Sequence, residues 1–391
     1  MYYINAESSN QLRVCKTYLQ QKRNKTALED SRLIILQHIL TDTMNLLFLL
    51  KQTGTEIHSV IAKPYSIDGN VLTRLKDDAF NIIEKSYQEL EDTSILTDIL
   101  IDAISKSKID GKKIVIIEVG GYFAKPLSKL KKDEYKYIAG VVEDTTFGHN
   151  RYLDLQNKIN VPIASVARSP LKEIEARFVG DSVVNAMDII LREIGISISG
   201  RNALVIGYGM IGKNIARALR ARNLFVSVYD KEDHKSIDAF CEGFKIHKKA
   251  ELLKLADIIF SATGTNALSI DDIELCGNNT VLVSAGSKNI EYDISGLEER
   301  SFKDVEKITE HIKKYSISVG NDVFLVRDGT AVNFLIKSVP DEIIDLVFAE
   351  LLLSAIRIIK EPTQFELHKI NITPDINLSA IAKDWLKHAN Y

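Results

Sequence analysis

Residues 201–216 read RNALVIGYGMIGKNIA, and this run constrains the chain more than any other. Arg201 to Ile206 is a short apolar stretch that stops at GYGMIG, and Lys213 to Arg222 has helical character, so the segment predicts a strand, a tight turn and a helix. In a dinucleotide-binding unit the first glycine, Gly207, allows the turn. The second, Gly209, lets backbone approach a pyrophosphate, and the third, Gly212, lets helix and strand pack closely. Met210 and Ile211 then open a helix whose free N–H groups attract phosphate.

A second apolar run, Leu224 to Val228, follows at the spacing of a βαβ unit and ends in Tyr229-Asp230. A carboxylate about 20 residues past the glycines accepts hydrogen bonds from ribose hydroxyls and repels a 2′-phosphate. Asp230 therefore predicts NAD rather than NADP, with Lys231 beside it pulling the other way.

The 391 residues suit two domains. Strand-like runs at Arg32–Gln37, Glu56–Ala62, Lys113–Glu118, Tyr137–Val142 and Pro162–Val166 alternate with helical segments at Thr41–Gly54 and across Asn70–Asp110, which is the pattern of a parallel α/β domain. Ser182–Gly195 predicts an amphipathic helix leading into the glycine-rich unit, whose further elements are a helix at Lys248–Leu255 and strands at Asp257–Ser261 and Thr280–Val283. Ile343–Ile359 is a strongly apolar helix that contains Asp345, Glu350 and Arg357 and is short for a membrane span, so it predicts a core or interface helix.

Charge and cysteine usage exclude several classes of function. A formal charge of −3 without a basic block argues against nucleic acid or an anionic membrane as partner. Cys15, Cys241 and Cys276 are widely spaced, which predicts neither disulfides nor a metal site and fits a reducing cytoplasm. The start MYYINAESSNQ has no secretory pattern, and a cytoplasmic location is expected.

Six collinear stretches resemble the adenosylhomocysteinase (S-adenosyl-L-homocysteine hydrolase) family. GYGMIGKNIARALR with Asp230 is similar to the family's GYGxxGKG…ALR…E, VVEDTTFG at 141–148 to SEETTTG, VPIASV at 161–166 to VPAINV, and DIIFSATG at 257–264 to DIFVTTTG. GSKNIEYDISGL at 286–297 resembles GHFDVEIDVKWL, and GTAVNF at 329–334 resembles GRLVNL. The resemblance implies a two-domain α/β fold with a Rossmann-type NAD-binding domain and a discontinuous α/β substrate-binding domain. The boundaries expected are 1–181 for the substrate domain, 182–338 for the NAD domain, and 339–391 for a C-terminal helical segment that returns to the substrate domain or reaches an oligomer interface. It also implies a homodimer or homotetramer.

Carried over position by position, the resemblance places His38 on the family's active-site histidine and Asp42 on its adenine-recognising glutamate. Lys172 falls on the lysine near the ribose 3′-hydroxyl, and Asp144 on a catalytic glutamate. Thr145, Thr146, Thr263, Gly264, Gly286 and Asn333 fall on the cofactor side. The substrate side departs from the pattern. Val119 stands where the DDGGD motif has its second aspartate, Ala176 replaces the aspartate four residues past the lysine, and Asp181 replaces a cysteine. Ser287 replaces the histidine of GHFD, and SVP at 338–340 lacks the histidine of GHP.

The family mechanism oxidises the ribose 3′-hydroxyl with NAD, removes the 4′-proton and expels the 5′ thioether before water adds. Each proton transfer needs a positioned acid or base, which contributes typically about 10²–10⁴-fold. The retained residues predict an NAD-dependent enzyme that oxidises a secondary alcohol of a nucleoside-like or other small polyol substrate. The alternatives are an NAD-binding regulatory protein without turnover, and genuine S-adenosylhomocysteine hydrolysis by substitute residues.

Overall fold

A computed structural model describes residues 12–286 and 288–389. The chain divides into two compact units, Met1–Glu173 with Asp341–Tyr391, and Ile174–Pro340. The first division falls inside one uninterrupted helix, Pro170–Glu193, and not ahead of a helix beginning at Ser182. Pro170 suits a first helical position, where its missing N–H goes unused, and the Ser169 hydroxyl caps the turn by accepting the Lys172 backbone N–H at 3.1 Å.

In the discontinuous unit, β1 (Ser31–Ile39), β2 (Glu56–Ile67), β3 (Ile82–Glu84), β4 (Lys113–Glu118), β5 (Ile138–Glu143) and β6 (Ile163–Ser165) join a late strand, Ile370–Ile372. The order from one edge is Ile370–Ile372, β6, β5, β4, β1, β2, β3. All six pairings are parallel. β1 lies inside the sheet, beside the middle strand β4, and is buried along nearly its whole length, as a largely apolar strand in a parallel sheet should be. Strand order reverses between β1 and β4, which leaves a crevice beyond their carboxyl ends. β3 is a short edge strand inside a stretch whose periodicity reads as helical.

The apolar helix, Asp341–Lys360, belongs to this unit and packs on β4, β5 and the helix Arg13–Gln20. Its charges are engaged: the Asp345 carboxylate accepts from the N–H groups of Val14 (2.7 Å) and Cys15 (3.0 Å), the Glu350 carboxylate accepts from the Ser169 hydroxyl (2.7 Å), and Arg357 pairs with Glu361. The apolar surface that suggested a subunit interface is covered by the chain itself, so this helix gives no support for a homodimer or homotetramer. The following helix, Asp375–His388, also folds back on the unit, with the Trp385 indole N–H donating to the Glu342 carbonyl at 2.7 Å. Tyr391, with which the sequence ends, lies outside the described residues.

The second unit holds β7 (Asn202–Ile206), β8 (Phe225–Tyr229), β9 (Lys245–Ile246), β10 (Ile258–Ser261), β11 (Thr280–Ser284), β12 (Glu306–Lys307), β13 (Ile312–Ser318) and β14 (Asn321–Val326), in the order β12-β13-β14-β11-β10-β7-β8-β9. From β9 to β14 the pairings are parallel, and numbered by appearance these six strands run 3-2-1-4-5-6, the order of the dinucleotide-binding fold. β12 and β13 extend it antiparallel. Among the described residues no helix is long and apolar enough to cross a membrane, and no group of His, Cys, Asp and Glu is placed to hold a metal.

Candidate functional site

In the second unit the reversal of strand order lies between β7 and β10, and the glycine loop leaves β7 at that point. Each glycine meets a different constraint. Gly207 has φ +91°, and a Cβ there would lie 2.7 Å from the Ala262 carbonyl oxygen. A Cβ on Gly212 would lie 1.8 Å from the Gly207 carbonyl oxygen, so this glycine is what lets the helix Met210–Ala221 approach β7. At Gly209 φ is −78°, and a Cβ would meet nothing within 4 Å. The protein alone gives no reason for a glycine there; a ligand lying against the backbone does. Met210 and Ile211 form the first turn of this helix, at whose start no side chain caps the backbone N–H groups.

Asp230, nearly buried just past β8, accepts from Tyr208 N–H (2.6 Å) and Glu232 N–H (2.9 Å), which ties the end of β8 to the glycine loop. The loop after β10 is held by Glu291, a fully buried carboxylate that accepts from Thr263 N–H (2.9 Å), Thr263 hydroxyl (2.7 Å) and Gly264 N–H (2.7 Å). Burial raises its pKa. A Cβ on Gly286 would sit 2.4 Å from that carboxylate, so Gly286 is needed for its approach. Asn333 is buried and donates to the Ser338 hydroxyl at 2.9 Å. The glycine cradle, the helix start and Asp230 together fit a dinucleotide.

In the discontinuous unit the chemistry collects at the carboxyl ends of the strands. His38, near the end of β1, is partly exposed, and its Nδ1 lies 2.5 Å from the Ser66 hydroxyl on β2. Burial, then the positive charges of Lys63 and Lys172, push its pKa down to about 3, so at neutral pH the ring is an uncharged imidazole. Asp42 sits in the first turn of the helix Thr41–Gln52, accepting from Thr43 N–H (2.7 Å) and favoured by the helix dipole. Beyond β5, Asp144 meets the Lys172 ammonium at 2.9 Å, and both side chains are largely shielded from water.

Two further carboxylates hold the loops that follow β4 and β5. Glu143 accepts from the N–H groups of Gly120 (3.0 Å), Gly121 (2.8 Å) and Thr145 (2.7 Å) and from the Thr145 hydroxyl (2.6 Å). Its register partner Glu118 accepts from Tyr122 N–H (2.7 Å), Phe123 N–H (3.2 Å) and the Tyr152 hydroxyl. Both are fully buried, and burial raises their proton affinity above the ordinary carboxylate range, with the charge of Glu118 adding to the effect at Glu143. Positive φ at Gly120 (+103°) and Gly121 (+63°) lets the loop wrap around them.

The structure brings His38, Asp42, Asp144 and Lys172 to one end of one sheet, and Gly207, Gly209, Gly212, Asp230, Thr263 and Gly264 to the corresponding end of the other. Thr145 caps the helix Thr146–Leu155, and its hydroxyl is engaged with Glu143 and Gly148, whereas Thr146 is exposed. Val119 is fully buried in an apolar cluster, and Ala176 is buried too, so neither brings a polar group to the site. Ser287 lies outside the described residues. Sequence reasoning missed Lys63, Glu350 and Glu291. Lys63 is nearly buried, donates to the Tyr122 hydroxyl at 3.0 Å and breaks the apolar run of β2. A charge within an otherwise core-like element is the signal that could have found both Lys63 and Glu350.

Residues 180–338 match the family model described as the S-adenosyl-L-homocysteine hydrolase NAD binding domain. The chain is similar to adenosylhomocysteinases over most of its length. It is 28% identical to that of Thermoplasma acidophilum over 352 residues, which covers 87% of this chain and 82% of the relative. It is 28% identical to that of Saccharolobus solfataricus over 348 residues, with 87% and 80% covered. The adenosylhomocysteinase of Thermotoga maritima is 28% identical over 316 residues, with 80% and 76% covered. Among solved structures, dipicolinate synthase A chain from Bacillus subtilis overlays with a TM-score of 0.46 at 13% identity, covering 83% of this chain and 97% of that one.

Proposed function

We propose that this chain, which is similar to adenosylhomocysteinases over most of its length and matches their NAD-binding-domain model at residues 180–338, oxidises a secondary alcohol of a small, nucleoside-like substrate, with little or no hydrolysis of S-adenosylhomocysteine. The observation that carries this reading is the shielded Lys172–Asp144 pair at the carboxyl end of β5. NAD, when bound, supplies a hydride acceptor for the carbinol carbon. Lys172 takes the hydroxyl proton, and Asp144 orients its amine and stabilises the ammonium that results. Asp42, next to the crevice, receives a base or hydroxyl edge of the substrate. His38, held neutral, offers a hydrogen bond and not an imidazolium proton.

Elimination of a 5′ thioether and hydration of the product need further proton transfers, and the matched positions hold Val119 and Ala176, both apolar and buried. The test presents NAD and a panel of nucleosides and polyols to the purified protein and follows reduced-nicotinamide absorbance. Growth of that absorbance on at least one alcohol is expected, with loss of the signal in Lys172→Met while NAD binding is kept. Silence across the panel in a protein that binds NAD would support the alternative of a binding protein without turnover.

A further inference from the structure

Glu350 is fully buried on the helix Asp341–Lys360 and comes to the Lys172 turn from a distant part of the chain. Its carboxylate accepts from the Ser169 hydroxyl at 2.7 Å, and the same hydroxyl oxygen accepts from the Lys172 backbone N–H at 3.1 Å, so one side chain links Glu350 to the turn that carries the lysine. Asp144 contacts the Lys172 ammonium directly at 2.9 Å. Four residues beyond the lysine, where a carboxylate would stand one helical turn away, the chain has Ala176.

We propose that Glu350 is a positioning residue for Lys172: a second carboxylate, delivered by the C-terminal helix, that together with Asp144 sets the pH at which the lysine releases its proton. The proposal rests on the reading of Lys172 as the group that receives the hydroxyl proton.

The groups that face this cluster come from several elements. Asp144 follows β5, His38 ends β1 and is uncharged at neutral pH, and Lys63 on β2 acts on His38. Burial raises the pKa of Glu350; the hydrogen bond from Ser169 opposes that, Asp144 adds to it, and Lys172 lowers it. Ionised, Glu350 favours the ammonium form of Lys172; in a water-poor site an added negative charge raises the pKa of a nearby amine. Removing that charge lets the lysine lose its proton at lower pH.

The test reads the amine itself, without turnover, so failure of the proposed oxidation leaves it valid. Trace acetylation of the NAD-loaded protein across a pH series, with Lys172 followed by peptide mass spectrometry, gives the apparent pKa of that one amine. Glu350→Gln keeps the shape of the side chain and is expected to move the profile down by about one pH unit, roughly a tenfold gain in reactivity below both midpoints. Asp144→Asn should move it the same way. Glu350→Asp, which keeps the charge but draws it back, should give a smaller shift, and it reads the link if the glutamine variant does not fold. An unchanged profile in a folded Glu350 variant, alongside a shift in Asp144→Asn, would overturn the proposal.

Discussion

The three glycines of the loop at 207–212 are alike in sequence and unlike in cause. Gly212 is required by packing, because its Cβ would collide with the Gly207 carbonyl, whereas Gly209 faces open space. Gly212→Ala should therefore destabilise the second unit by about 1–3 kcal/mol, the usual cost of overpacking, or somewhat more. Gly209→Ala should leave unfolding unchanged and weaken NAD binding at least about tenfold, or about 1.4 kcal/mol. Urea unfolding and NAD titration of the two variants separate these effects; a stable Gly212→Ala protein would contradict the close packing. His38 makes a prediction of a different kind. Its pKa falls from 6.5 in the unfolded chain to about 3 in the fold, so below pH 6.5 the unfolded chain binds a proton that the folded one refuses. Stability is lost as pH falls through that window, by up to about 2 kcal/mol between pH 7 and 5. His38→Gln should flatten that part of the stability curve, measured by urea midpoints, and an equally steep curve would count against a neutral ring.

At the scale of elements, the glycine-rich turn, the central strands β1 and β4 and the apolar helix were legible because each is a long run of one pattern. β1 could be read from RLIILQ alone, since a strand buried on both faces has no need of alternation. The elements that escaped notice are those whose sequence mixes signals. β3 is three residues inside a helical stretch, and the β13–β14 hairpin carries Lys313, Lys314, Asn321 and Asp322 among its apolar positions. Lys172 and Asp144 were reached through the family resemblance and not through local pattern, and the fold brings them within 2.9 Å of each other. The candidate site was not legible where a carboxylate binds loops by hydrogen bonds to backbone N–H groups, because those donors are present in every sequence. Glu143 is the clearest case: its four donors come from residues 120, 121 and 145. Glu143→Ala should leave them buried without an acceptor and cost on the order of 3–5 kcal/mol. Urea unfolding of the variant checks this, and a loss below about 1 kcal/mol would show that the loop does not depend on the carboxylate.

For the whole molecule, the discontinuity matters most. The chain leaves its first sheet within the helix Pro170–Glu193, builds the dinucleotide fold and returns at Asp341 with a helix that closes the first core and brings Glu350 toward Lys172. On the family resemblance, the glycine loop with Asp230 keeps the family's pattern in one unit, and Val119 departs from it in the other. If two proton-transfer groups are missing, hydrolysis should be slower by on the order of 10⁴-fold or more. The decisive measurement is thiol release from S-adenosylhomocysteine by the NAD-loaded protein. We expect no homocysteine above a rate about 10⁴-fold below an ordinary turnover. Homocysteine formed at ~1 s⁻¹ or faster would contradict the proposed loss of hydrolysis.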